Sequence, residues 1–376
     1  MTRAAVIGTG FIGTVHVEAI RRMGVEVSGV LSGSPESTER GRAKLNLARG
    51  YHDLEAILED SAVDVVHVTS PNSLHYEQVR AILDANKHVI CEKPLALTSN
   101  EGAELMALAD SKSLVHGLCF NTRFYPMVHQ AQSYLDEGNL GEVRYILGSY
   151  HQDWLMQDTD WNWRLESEKA GELRAIADIG SHLIDQIQFV TGLEVSEVFA
   201  DLHTLIKVRK KPSGPVETFT LDNSSEREDV LMNSDDAGGI LLRFSNGARG
   251  TLSISQVAGG RKNTISWEIA GAKSSLGFNS ESPESLWIGH RSKPNELALK
   301  DPSTLSKSAA RNAFYPGGHI EGFGETFRAL FERIYRDIKT LAWHRDYPTF
   351  ADGVRSLKIT DAISLSNRSQ SWIKVI

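Results

Sequence analysis

In the first third of the chain the hydrophobic positions come in short solid runs, not in alternation. Residues 3–7, 25–31, 63–68, 89–91 and 115–119 are such runs, rich in Val, Ile, Leu and Ala, and each reads as a strand buried on both faces. Between them the spacing turns helical: up to residue 23, over 35–47, from a polar turn at 69–75 to about 86, over 100–112, and over 125–137. Ser34 with Pro35 opens the second of these helices, and Asp53 caps a short further one. Strand and helix alternate about six times, which predicts an α/β, doubly wound parallel sheet.

After Gly138 the period falls to two. Residues 143–150, 195–203, 239–244, 249–256, 264–271 and 274–278 read as strands, with Asn246-Gly247 as a hairpin turn. Strands with few helices between them predict a large, open, mostly antiparallel sheet with helices on one face, an α+β arrangement. Residues 209–236 and 289–318 read as loops, and two helices, 320–339 and 352–369, close the chain. No internal repeat is visible. The expected domains are 1–123 and 124–376, a division that suits the 376 residues.

Composition narrows the function classes. A net charge of -8 offers no basic excess for a phosphate backbone, so a nucleic-acid partner is not expected. No apolar run approaches the ~20 residues that span a bilayer, and the cytoplasm is the expected location. The two cysteines, Cys91 and Cys119, lie in apolar runs and suit buried thiols better than a disulfide or a thiolate metal site; no metal is expected.

Candidate chemistry clusters where strands end. Gly8-Thr9-Gly10-Phe11-Ile12-Gly13 stands between the first strand and the first helix, where glycines permit a tight turn and close approach of backbone N–H groups to a pyrophosphate. The second strand ends in Ser32-Gly33-Ser34 without the carboxylate that would hold a ribose 2′-hydroxyl. Hydroxyl side chains leave room for a 2′-phosphate, with Arg40 or Arg42 to meet it, so NADP is favoured weakly over NAD. The third strand ends in Thr69, Ser70, Pro71 and Asn72, with His75 one turn on; capping by Asn72 or Ser73 is the plainer reading of part of this set. The fourth ends in Glu92-Lys93-Pro94, a charged pair where open α/β sheets place their ligands, and the fifth leads to Asn121 and Arg123.

In the second half, Asp178 and His182 stand four apart on a helix, one face and about one turn apart. A carboxylate beside an imidazole raises its proton affinity and fixes its orientation, which serves a general base. Upstream, Trp163 and Arg164 combine an indole and a guanidinium suited to a cofactor or sugar. His319 ends a long loop and is a further candidate to face substrate.

Taken together, the glycine turn, Thr69 to His75, Glu92-Lys93-Pro94, Trp163-Arg164 and the Asp178/His182 pair followed by Asp185 resemble the Gfo/Idh/MocA family, in order and spacing over the whole chain. The resemblance implies an N-terminal Rossmann domain binding NAD or NADP. It implies a C-terminal sheet that floors the substrate cleft and often forms the interface of a homodimer or homotetramer. It also implies roles: Lys93 near the nicotinamide and the reacting hydroxyl, His182 as general acid/base, Asp178 positioning substrate or imidazole, and Asn121 and Arg164 facing cofactor or substrate. The chain departs from the family at Ala170-Gly171-Glu172-Leu173-Arg174-Ala175, where many members carry a glycine cluster, so Glu172 and Arg174 are expected to reshape the pocket.

The expected activity is hydride transfer between NAD(P) and a secondary hydroxyl or ketone of a sugar or cyclitol. Arg123, Trp163, Asp178, His182 and His319 are expected at the substrate with Lys93. The alternatives are an NAD-dependent glycosidase working by transient oxidation and elimination, and a non-catalytic NAD(P)-sensing protein.

Overall fold

The computed structural model describes residues 2–214 and 226–376. The chain forms two compact units: Met1–Asn121 with Glu168–Gly171 and Phe327–Leu357, and Thr122–Ser167 with Glu172–Thr326 and Lys358–Ile376.

The first unit contains β1 (Arg3–Ile7), α1 (Phe11–Arg22), β2 (Glu26–Leu31), α2 (Pro35–Lys44), α3 (Leu54–Leu58), β3 (Val65–Val68), α4 (His75–Asp84), β4 (His88–Cys91), α5 (Ser99–Ser111) and β5 (His116–Leu118). All strand pairs are parallel and the order is β2-β1-β3-β4-β5, one strand for each of the five apolar runs. Burial on both faces explains the solid apolar runs: Val65, Val66, Val68, Val89, Ile90 and Cys91 are wholly inaccessible. Each such aliphatic side chain contributes about 1.5–3 kcal/mol by leaving water. His67 breaks the pattern as a buried imidazole within β3. Side-chain caps start the helices: Ser34 and Thr98 form capping boxes on α2 and α5, and Asp53 caps α3. Helix α1 has no side-chain cap.

The remaining elements are α6 (Pro126–Asp136), β6 (Val143–His151), α7 (Ser167–Ala170), α8 (Ser181–Thr191), β7 (Val195–His203), β8 (Val208–Pro212), β9 (Arg227–Leu231), β10 (Ala237–Phe244), β11 (Arg249–Ser255), β12 (Thr264–Gly271), β13 (Ser275–Asn279), β14 (Ser285–Gly289), β15 (Glu296–Leu299), α9 (Lys307–Ala310), α10 (Phe323–Thr340), α11 (Phe350–Ser369) and β16 (Ile373–Lys374). Nine strands form one sheet in the order β15-β14-β13-β12-β6-β11-β10-β7-β16, antiparallel except where β6 runs parallel to β11. Its alternation is plain in β11, where Gly250, Leu252 and Ile254 are buried and Arg249 and Ser253 exposed. The Asn246-Gly247 turn joins β10 to β11, with Gly247 at φ +90.

Two expected loops hold more structure. Within 209–236, β8 and β9 form a two-stranded ribbon; residues 215–225 of that segment lie outside the described residues. Within 289–318 lie β15 and α9. The ribbon strands are charged, with Lys210 paired to Asp229 across them, so no apolar alternation announces them. Among the described residues, no helix is long and apolar enough to cross a membrane.

Candidate active site

In a parallel sheet every strand delivers its carboxyl end to the same edge. The turns after β1, β3, β4 and β5 therefore bring Gly8 to Gly13, Thr69 to Asn72, Glu92 to Pro94 and Asn121 to one rim of the first unit. Chain order reverses between β1 and β3, and there the turns meet: the Thr69 hydroxyl donates to the carbonyls of Ile7 at 2.8 Å and Gly8 at 3.1 Å. Gly8 sits at φ +101, and a Cβ on it would lie 2.5 Å from Thr69 Oγ1. A Cβ on Gly13 would stand 2.0 Å from the Gly8 carbonyl oxygen. At Gly10, by contrast, a Cβ would meet nothing within 4 Å, and Phe11 beside it is 46% exposed; Ile12 is half-buried. Two glycines thus serve packing, and the third opens the backbone to space at the uncapped start of α1. That cradle fits a pyrophosphate.

At the end of β2, Ser32 accepts from the Thr9 hydroxyl at 3.1 Å and its N–H donates to Thr38 at 2.9 Å, while Ser34 caps α2. The Arg42 guanidinium donates to Glu39 and to the Leu47 carbonyl, which leaves Arg40 as the arginine of this helix with no such hydrogen bond among the described residues. The turn after β3 is occupied differently from the sequence expectation. Neither Asn72 nor Ser73 caps α4; Asn72 Nδ2 donates to the Ala170 carbonyl at 2.9 Å, and the Ser70 hydroxyl donates to Gln78 at 2.6 Å. Pro71 between them is half-buried.

His75 and Glu92 turn inward. His75 is fully buried, with Nδ1 2.7 Å from the Pro94 carbonyl and Nε2 2.9 Å from the Ser70 carbonyl, so its ring lies between two rim turns. Burial pulls its pKa down, and the two carbonyl contacts act the other way. Glu92 faces His16, while its second oxygen accepts from the Lys93 N–H at 3.3 Å. Lys93 itself is half-buried on the rim, followed by a cis peptide to Pro94. Asn121 is buried at the end of the same edge.

In the second unit, the segment with Asp178 and His182 opens as a π-helical turn over Ile176–Gly180 before α8 begins. The wider turn is held from outside: the Asp235 carboxylate accepts from the backbone N–H of Arg174 at 2.6 Å and of Ile176 at 2.9 Å. Burial pushes the Asp235 carboxyl up, against the two N–H donors that hold it down. Asp178 accepts from Arg164 Nε at 3.2 Å and from Gln256 Nε2 at 2.8 Å, and the Arg164 guanidinium lies 4.4 Å over the Trp163 ring. Trp163, Arg164 and Asp178 therefore come together from one loop and one helix. His182 is buried on α8, its ring 6.5 Å from that of Tyr150.

Other expected residues have partners of their own. Arg123 forks onto Asp185, with Nε 2.6 Å from Oδ2 and a second bond from NH2 to Oδ1. Arg174 is buried and reaches Gln256 at 2.9 Å and Asp236, which Arg209 also contacts at 2.8 Å; Glu172 pairs with Arg368. His319 is exposed on its loop, and its carbonyl accepts from the buried Lys300 ammonium at 2.7 Å.

Sequence reading missed His16, His67, Tyr335, Gln256 and Asp235. His16 had a signal, since it shares the buried face of α1 with Gly13, Val17 and Ile20; the others are defined only by partners far along the chain.

Comparison with known proteins agrees with this geometry. Residues 2–119 match the model of an oxidoreductase family with an NAD-binding Rossmann fold, and residues 128–277 match the GFO/IDH/MocA C-terminal domain. Levoglucosan dehydrogenase of Pseudarthrobacter phenanthrenivorans is 31% identical over 382 residues, covering 98% of this chain and 97% of that protein. A solved structure of levoglucosan dehydrogenase in complex with NADH and levoglucosan superimposes with a TM-score of 0.88 at 29% identity, over 100% of this chain and 99% of that one. The scyllo-inositol 2-dehydrogenase (NADP(+)) IolW of Bacillus subtilis is 33% identical over 157 residues, 42% of each chain. On these matches the chain belongs to the Gfo/Idh/MocA family of oxidoreductases.

Proposed function

We propose that this chain is an NAD(P)-dependent dehydrogenase or reductase acting on a secondary hydroxyl or ketone of a sugar or cyclitol. The observation that carries the reading is the rim of the parallel sheet, where an open glycine cradle and the Lys93 turn share one edge. Full-length similarity to levoglucosan dehydrogenase supports the substrate class.

A bound nicotinamide supplies the acceptor or donor of hydride. The chain's own residues do the rest. The backbone of Gly8 to Gly13 and the Thr69 to Asn72 turn would hold the dinucleotide, with Ser32 and Ser34 at the ribose. Asn121, Trp163 and Arg164 would complete its surroundings. An alcohol gives up hydride only as its hydroxyl proton departs, so a base must stand within about 3 Å of that oxygen. His182 takes this proton, and Asp178 orients substrate or imidazole. The Lys93 ammonium stabilises the developing alkoxide, a task for a fixed cation in a site with little water. Arg123 and His319 complete the proposed substrate set.

The test is a panel of sugars and cyclitols, levoglucosan first, offered with NAD⁺ and NADP⁺ and read by absorbance near ~340 nm. Reduction of cofactor in step with substrate oxidation is expected. Hydrolysis of a glycoside without net formation of reduced cofactor would sink the reading in favour of a redox-neutral glycosidase.

A further inference from the structure

Behind the Lys93 turn lies a row of buried polar groups that the proposed reaction leaves unused. His16, on α1, has Nε2 3.1 Å from Glu92 Oε1 and Nδ1 3.0 Å from His67 Nδ1, and His67 Nε2 is 2.8 Å from the Tyr335 hydroxyl. Both imidazoles are wholly inaccessible. The rings of Phe327 and Phe331 pack on His16, and Phe331 also on His67.

Counting protons orders the row. With Glu92 ionised and His16 neutral, the carboxylate only accepts, so His16 carries its hydrogen on Nε2. A neutral imidazole has a single N–H, so His16 Nδ1 accepts and His67 Nδ1 donates. His67 Nε2 then accepts in turn, from the Tyr335 hydroxyl. Every link is satisfied by one proton, and all three dipoles point towards Glu92, an arrangement in which each bond polarises the next. Burial holds the His67 ring well below the ordinary imidazole range and pushes the Tyr335 hydroxyl well above its own, so both stay neutral. The Cys119 thiol, 3.8 Å from His16 Nε2, is likewise pushed up by burial and keeps its proton. The row ends at the reactive turn, because the second oxygen of Glu92 accepts from the Lys93 N–H.

We propose that His16 is a positioning residue: oriented by His67 and Tyr335, it fixes the Glu92 carboxylate, and through that carboxylate the turn that carries Lys93. The proposal rests on the reading of Lys93 as the ammonium at the reacting oxygen. His16 touches neither substrate nor cofactor in this role; it sets where Lys93 stands.

The first measurement uses the unaltered protein. Ring ¹⁵N shifts of labelled histidine at neutral pH are expected to report a neutral Nε2–H form for His16 and a neutral Nδ1–H form for His67. The opposite tautomers, or an imidazolium at either position, overturn the ordered row. The second measurement is kinetic. His16→Leu is expected to lower kcat at least ~10-fold with KM for substrate and cofactor held within about threefold, a loss of alignment and not of binding. His16→Gln, whose amide can donate to Glu92 while its carbonyl accepts from His67, is expected to restore kcat to within about threefold of the original. Unchanged kcat in His16→Leu, in an assay where Lys93→Ala is inactive, overturns the positioning role alone. Full activity in Lys93→Ala overturns the reading of Lys93 beneath it, whatever tautomers are found.

Discussion

The Gln256 side-chain amide donates to Asp178 Oδ2 at 2.8 Å, while its carbonyl accepts from Arg174 at 2.9 Å. A neutral side chain thus couples the candidate site to a buried ionic group, Arg174 with Asp236 and Arg209. Gln256→Leu strands a buried Arg174 guanidinium N–H, and a buried polar group left without its partner costs about 1–3 kcal/mol. The expected outcome is a fall of about that size in unfolding free energy by urea titration, together with a lower kcat/KM. Gln256→Glu should be worse for Asp178, since it sets two carboxylates face to face.

Substitution separates chemistry from cofactor binding. Lys93→Ala and His182→Ala are each expected to lower kcat by roughly 10²–10⁴, the usual worth of a positioned acid–base group. The dissociation constant of reduced cofactor, followed by fluorescence titration, should change little, because the glycine cradle is untouched. Turnover equal to that of the unaltered protein in either variant contradicts the assignment.

Cofactor choice turns on the end of β2. Ser32→Asp would add the carboxylate that pairs with a ribose 2′-hydroxyl and repels a 2′-phosphate. It is expected to raise the ratio of kcat/KM for NAD⁺ over NADP⁺ by at least ~10-fold, since a charge-assisted hydrogen bond is worth about 1.5–3 kcal/mol. A ratio that does not move would place the ribose elsewhere than at Ser32.

What the sequence made legible was local. The Gly8 to Gly13 turn, the solid runs of β1, β3 and β4, and the alternation of β10 to β12 each follow from neighbours within one element. Polar residues facing inward were harder. Glu92 and His75 looked like rim residues because their types are usually solvated, and only partners such as His16, 76 positions from Glu92, show that they face the interior. Arg174 was expected in the pocket for the same reason, and its burial depends on Asp236 and Gln256, 62 and 82 positions away. The π-helical turn at Asp178 was hidden because the Asp235 carboxylate that supports it lies in a loop.

The nine-stranded sheet keeps apolar side chains on its outer face: Leu147 is 46% exposed and Leu241 42%. Large apolar groups gathered on an open face mark an association surface, and a self-complementary face gives a two-fold dimer. Homo-oligomerisation through this face is the proposed state. Leu147→Arg on the central strand β6 is expected to convert the assembly to a smaller species, as measured by light scattering on a sizing column, and to leave the thermal midpoint of the smaller species sharp. An unaltered mass excludes this face as the interface.

Acid should loosen the first unit through His116. Its Nδ1 accepts from the Phe350 N–H at 3.2 Å at the start of α11, and the ring packs tilted against Phe350 with centroids 4.6 Å apart. Burial lowers its pKa from 6.5 to about 4; Asp110 and Asp352 pull it up and Arg345 down. The folded ring therefore binds its proton less readily than the unfolded chain does. Between pH 6.5 and 4 the unfolded state holds more protons, so stability rises with pH in that window. The contribution is fully present above about pH 6.5 and is lost as pH falls towards 4, to the extent of about 3 kcal/mol at 1.36 kcal/mol per pKa unit. Protonation also removes the acceptor that Phe350 uses, so ring charging and fraying of α11 should coincide. His67 and His75, whose pKa values are also lowered, act with the same sign. His116→Gln keeps an acceptor for the Phe350 N–H but cannot titrate. Urea unfolding across pH 4–7 is expected to show a flatter dependence in that variant, with little change at pH 7; an equal slope in both proteins would assign the acid sensitivity to the other buried imidazoles.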